Sequence, residues 1–216
     1  MATRLVKKLI ILMACFVMIG LVSMSGLRVP SAFAINGPPA INLASGILNP
    51  TFTGTPGTCP AQWICAGSPA PGFSSYNPGA AQYPGGHPFP TSAFSPTVYG
   101  GSGVIRQLTT LTWTSGVNYV LDVFAGLPLK EPDGITPVAG WPGSNGAARL
   151  YLTMGDGFGQ VAAFDIPSPA PGTWVVNPII LNLPANSPAI GQKIGVMIYV
   201  SAPSGFSANF DFAGPV

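Results

Sequence analysis

Lys193-Ile194-Gly195-Val196-Met197-Ile198-Tyr199-Val200-Ser201 alternates with a period of two, setting Val196, Ile198 and Val200 against Met197, Tyr199 and Ser201. Successive side chains of an extended chain point to opposite faces, so the stretch reads as a strand with one packed face. The same period recurs in Val117, Tyr119, Leu121 and Val123. It recurs again where Leu150, Leu152 and Met154 oppose Arg149, Tyr151 and Thr153. Gly and Pro number 28 and 25 in 216 residues, too many for any stretch to sustain a capped amphipathic helix. Candidate strands cover Ile47 to Thr53, Gly72 to Tyr76, Thr97 to Tyr99, Gly103 to Leu111, Val117 to Ala125, Ala148 to Met154, Gln160 to Ile166, Thr173 to Leu183, Lys193 to Ser201 and Ala208 to Phe212. About eight to ten strands with one packed face each predict an all-β fold, a two-sheet antiparallel sandwich.

The amino terminus has a different character. Arg4, Lys7 and Lys8 precede an apolar run from Leu9 to Val22, and Ala32-Phe33-Ala34 supplies small residues at the −3 and −1 positions of a cut. This is the order of a secretory signal peptide cleaved after Ala34. A retained anchor is the competing reading, since Leu9 to Leu27 is long enough to span a bilayer. Leu12-Met13-Ala14-Cys15 also resembles a lipobox, although apolar residues continue past Cys15 to Val22. Residues 35 to 216 then form one domain, secreted or held at the cell surface and outside the membrane after cleavage.

Cleavage takes Arg4, Lys7, Lys8 and Arg28 with it. Four cations (Arg106, Lys130, Arg149, Lys193) and six acids remain, a net charge of −2. No basic run is left to track phosphates, so a nucleic-acid partner is not expected. Cys59 and Cys65 are the two cysteines of the exported chain. In an oxidising compartment they read as one local disulfide stiffening the Trp63 loop; a metal site would need further Cys or His.

Six carboxylates and His87 are the whole supply of acid–base side chains, which argues for binding over catalysis. Asp156 sits among glycines as a hairpin residue would, and His87 has no second histidine for a metal site. Glu131 and Asp133 share one exposed loop and lack the rigid separation of a glycosidase pair. Gly100-Gly101-Ser102-Gly103 reads as a turn. Arg149 and Asp122 could form a structural ion pair. The aromatics offer more: Trp63, Tyr76, Tyr83, Phe89, Phe94, Tyr99 and Trp141 fall in or beside loops. Flat rings stack on the C–H face of sugars, while a few polar groups fix orientation. Trp63 and Trp141 are the expected exposed rings, with Tyr76, Tyr83 and Arg149 completing a ligand-binding set.

Several segments resemble a known family in their order. Asn49-Pro50-Thr51-Phe52, Phe73-Ser74-Ser75-Tyr76-Asn77-Pro78, Ala81-Gln82-Tyr83-Pro84, Val104-Ile105-Arg106-Gln107-Leu108, Val117 to Val123, Pro171-Gly172-Thr173-Trp174 and Asn209-Phe210-Asp211-Phe212 resemble the galactose-binding-like domains of exported bacterial surface proteins, most of all those with a PEP-CTERM sorting tail. The resemblance spans about residues 42 to 213, without such a tail. It implies a jelly roll like that of carbohydrate-binding modules, and hence a non-catalytic domain that recognises glycan or another extracellular polymer. A structural or adhesive role in the cell envelope is the alternative. In relatives the first and last motifs contribute to a structural calcium site, the sole cofactor implied, with Asp211 as its carboxylate. Thr53 stands where those relatives carry Glu, which removes one ligand charge.

Overall fold

The computed structural model describes residues 38–52, 54–55, 57–68, 74–76, 78–86, 95–144, 147–155 and 159–213. The expected signal peptide with Cys15, and Thr53, His87, Phe89, Phe94 and Asp156, lie outside the described residues, as do the side chains of Tyr76 and Tyr99. Among the described residues nine strands run in chain order: β1 Ala40–Asn42, β2 Ile64–Ser68, β3 Ser74–Tyr76, β4 Ser95–Thr112, β5 Asn118–Leu127, β6 Ala147–Met154, β7 Gly159–Asp165, β8 Thr173–Asn182 and β9 Lys193–Ala213. Short 3-10 turns at Leu43–Gly46 and Pro142–Ser144 are the other regular elements among the described residues.

Two sheets share their two longest strands. The first has the order β2-β4-β9-β6-β7 and uses the later part of β4 and the earlier part of β9. The second has the order β3-β4-β9-β5-β8 and uses the opposite ends of the same strands. β1 runs parallel to β5 and joins the second sheet. A strand can pass between packed sheets if it bends at the corner, and the first of the two register irregularities of β4 lies there, between Tyr99 and Gly101. The stretch Gly100 to Gly103 is therefore continuous strand and not the expected turn. On β9 the two predicted strands, Lys193 to Ser201 and Ala208 to Phe212, are one element for the same reason.

The core lies between the sheets, where the predicted alternation points it. Tyr119, Leu121 and Val123 of β5 meet Leu150 and Leu152 of β6 and Ile194, Val196, Ile198, Val200, Phe210 and Phe212 of β9. Trp113 packs edge-on against Tyr119, ring centroids 4.6 Å apart, and its indole N–H donates to the Thr153 carbonyl. The expected strand Ile47 to Thr53 does not form. Asn49 and Phe52 take positive φ, 55° and 52°, a conformation that cannot continue a strand, and Phe52 turns inward to the core. β2 was not foreseen; it extends the disulfide loop along β4.

Over the outer face of the second sheet, the loop Pro78 to Gly86 is pinned by buried side chains. The Tyr83 hydroxyl donates to Asn209 Oδ1, and its ring packs on Trp174 at 4.9 Å. Gln82 donates to the Glu131 carbonyl. Gly126 makes room for this packing, because a Cβ there would lie 2.6 Å from Tyr83 Oη and 2.7 Å from the Trp174 ring. Gly126→Ala should therefore lower stability by about 1–3 kcal/mol, the usual cost of overpacking. Denaturant melts of the two proteins test this; an unchanged midpoint would show that the loop is not held by this packing.

Candidate functional site

The expected ligand rings are inside the molecule. Trp63 is 6%, Tyr83 1% and Trp141 2% exposed. Trp63 stacks in a cluster with Phe52 and Phe212, at 4.7 and 5.9 Å, and its indole N–H donates to the Asn49 carbonyl. Trp141 packs edge-on against Phe210 and donates to the Ile166 carbonyl. Large rings beside turns are drawn into the core when their one polar group finds a backbone partner, and each of these indoles has one. Cys59 and Cys65 are joined as expected. Their loop holds Trp63 inward instead of presenting it.

The remaining ionisable candidates also have structural duties. Asp133 accepts from the Thr136 hydroxyl and then from the backbone N–H groups of Ile135 and Thr136, bonds that hold its carboxyl below the usual range. Burial, and then the neighbouring Asp133, push Glu131 upward. Arg149 pairs with Asp165 directly across β6 and β7, not with Asp122. Asp165, followed by Tyr151, raises the Arg149 pKa further.

Asp211 is buried on β9 opposite Phe124, with Oδ1 accepting from the Phe212 N–H. Calcium takes six to eight oxygen ligands, usually several of them carboxylates. Among the described residues no three His, Cys, Asp or Glu side chains cluster to hold a metal ion.

What the fold brings together is the outer face of the first sheet. Strand register places Ile64, Arg106, Met197 and Tyr151 in one row across β2, β4, β9 and β6. The next row is Ala66, Val104, Tyr199, Arg149 and Asp165 across all five strands, roughly 19 Å end to end. All of these alternate with core residues, so their side chains face outward. Two hollows indent the face. One of about 300 Å³ lies among Leu48, Gln62, Ile64, Arg106, Leu108 and Met197. The other, about 230 Å³, lies among Ala66, Gly67, Gly103, Val104 and Tyr199. At the far edge, Arg149 and Asp165 also border a third hollow of about 340 Å³ beside Trp141 and Ser168. Sequence reading singled out Arg149 alone from these rows. The period-two pattern had already put Tyr151, Met197 and Tyr199 on the non-core side, and that was the available signal.

No protein-family description matches the chain, and no curated protein does. Solved structures do. A Stig cyclase, Fisc, from Fischerella sp. TAU, in complex with (3Z)-3-(1-methyl-2-pyrrolidinylidene)-3H-indole, is 18% identical with a TM-score of 0.58, over 79% of this chain and 98% of that one. A cyclase from Fischerella sp. TAU in complex with 4-(1H-indol-3-yl)butan-2-one is 21% identical with a TM-score of 0.57, over 80% and 93%. A carbohydrate-binding module of the β-sandwich superfamily, described as promiscuous in specificity, is more distant: 13% identity, TM-score 0.39, over 81% and 61%. The cyclases share the fold. They overturn the expectation that this chain is not an enzyme, because that expectation took a sandwich with few titratable groups to be non-catalytic, and enzymes are built on this sandwich. Counting such groups says little when one buried carboxyl can sit near neutrality.

Asp211 is such a group. Burial pushes its carboxyl up to about 7, against the smaller opposing effect of the Phe212 N–H. The folded state therefore holds this proton more tightly than the unfolded chain does. Its stabilising contribution is complete below about pH 4 and is lost as pH rises to about 7, on the order of a few kcal/mol. Melting temperature should fall across that window, and Asp211→Asn should flatten the fall. An identical pH slope in the variant would mean that other groups carry it.

Proposed function

We propose that this chain is an exported β-sandwich that binds carbohydrate or a similar extracellular polymer across the outer face of its first sheet. The observation that carries this reading is the Val104, Tyr199, Arg149, Asp165 row, which combines a half-buried ring with a fixed ion pair on a face built of rigid strands. Tyr199 and Tyr151 offer ring faces to sugar C–H groups, and Arg149 and Asp165 offer directional donors and acceptors to hydroxyls. The Cys59–Cys65 disulfide fits an extracytoplasmic setting, and no helix among the described residues is long and apolar enough to cross a membrane.

A structural or adhesive role is favoured by a different observation. β8 pairs with β5 alone among the described residues, carries no charge in its ten residues and exposes Val176 and Ile180, the latter 68%. Long apolar edges of this kind invite a partner strand.

Affinity measurements against a panel of soluble polysaccharides distinguish the two. Binding that weakens about tenfold or more in Tyr199→Ala and in Arg149→Ala supports the sheet-face reading. Absence of binding to every glycan at high protein concentration removes it. If adhesion is the role, sedimentation should show self-association that Ile180→Lys reduces.

A further inference from the structure

Eight large apolar side chains are exposed among the described residues, and three of them, Leu48, Ile64 and Leu108, surround one hollow on the outer face of the first sheet. Ile64 is 57% exposed there, and Met197 adds a flexible apolar wall. Isolated exposed apolar residues need no explanation, but a group of them around a cavity marks an interaction site. The polar side chains at this hollow differ in what they have left to offer. Arg106 already has a partner, and the Gln107 amide is taken up by the Leu48 and Gln62 backbone. The Gln62 side chain is exposed at the rim, and among the described residues its carboxamide makes no hydrogen bond.

The rim is held in an unusual conformation. Gln62 has φ 69°, and Asn49, next to Leu48, has φ 55°. The left-handed region is costly for a residue with a side chain and persists only where the surroundings hold it. Here the Leu48 N–H donates to Gln107 Oε1, while the Leu48 and Gln62 carbonyls both accept from Gln107 Nε2. Asn49 Nδ2 donates to the Ala61 carbonyl, and the Cys59–Cys65 disulfide closes the loop between them. Gly195 leaves the floor open between Leu108 and Thr153, its partners on either side, where a Cβ would run into the Thr153 hydroxyl. A preformed site loses little entropy on binding.

We propose that this hollow binds a small uncharged molecule with one polar head, its hydrocarbon part against Leu48, Ile64, Leu108 and Met197 and its hydroxyl or carbonyl on the Gln62 carboxamide. About 300 Å³ is at the lower end of the range for small-molecule sites. Aliphatic walls favour a hydrocarbon over a sugar ring, and a primary amide can donate to a carbonyl or accept from a hydroxyl. Charge is selected against. A carboxylate would lose its water against these walls and would have to take Arg106 from the partner it has, while a cation would meet that same guanidinium. This site is separate from the tyrosine row and does not depend on the polymer reading.

The test titrates 4-phenylbutan-1-ol calorimetrically into the purified protein, with 4-phenylbutyrate and protonated 4-phenylbutylamine as its charged counterparts. The alcohol should bind about tenfold tighter than either ion. Gln62→Gly removes the amide and suits the left-handed backbone, and it should weaken the alcohol about fivefold. Ile64→Ser, which takes away one apolar wall, should also weaken it. Tyr199→Ala, which the polymer reading requires to lose glycan, should leave alcohol binding unchanged, so the two readings fail separately. If either hollow variant does not fold, nuclear Overhauser contacts between the phenyl protons and the methyl groups of Leu48, Ile64 and Leu108 decide in the unmutated protein. An ion that binds as tightly as the alcohol, unchanged alcohol binding in folded Gln62→Gly or Ile64→Ser, no binding of the alcohol at millimolar concentration, or no contacts to those methyl groups would each overturn the proposal.

Discussion

The pairing of β4 with β9 is the constraint on which the rest of the molecule depends. The two strands are in antiparallel register from Thr97 with Asn209 to Thr112 with Lys193, and in that span they pass from one sheet to the other. β2 and β3 attach to β4, while β5 and β6 attach to β9, so both sheets are anchored to this one ladder. A shift of one residue would send Ile194, Val196, Ile198 and Val200 to the outside and bring Met197 and Tyr199 in. The buried face therefore fixes the ladder's register. The same register fixes which side chains appear together on the outer face.

The outer face of the first sheet is thus a consequence of core formation. Arg106 lies outward because Ile105 and Gln107 lie inward, and Tyr199 lies outward because Ile198 and Val200 do not. Gln107 is an unusual member of the inward set, a buried polar side chain on a core strand. Burying an amide is costly unless it is hydrogen-bonded, and here it bonds Leu48 and Gln62. The chain segment before β2 consequently packs against the sheet as one wall of a hollow.

Much of this was legible in the sequence, but unevenly. Strands β5 to β8 were found within a few residues of their ends, because period-two alternation survives wherever one face is packed. The fusion of two predicted strands into β4, and of two into β9, was not legible. Gly100-Gly101 and Ala202-Pro203-Ser204-Gly205 have the composition of turns, and a corner where a strand changes sheets uses the same residues. β2 was missed because Cys65-Ala66-Gly67-Ser68 has little strand propensity, and its partner β4 holds it extended. The aromatic candidates failed in a consistent way. Gly and Pro around Trp63 and Trp141 located loops correctly, but loop position does not set the direction of a ring. The Asn49 and Ile166 carbonyls that accept from these indoles are remote in sequence.

The scarcity of charge also acquires a different meaning. On a surface with few ions, each one present has a strong local effect, because little else competes with it or screens it. Asp133 organises a turn, Arg149 and Asp165 hold each other across two strands, and Asp211 is enclosed where its proton is retained toward neutrality. A low count of ionisable groups therefore does not separate binding from catalysis on this fold. What distinguishes them is where each group is buried and what faces it.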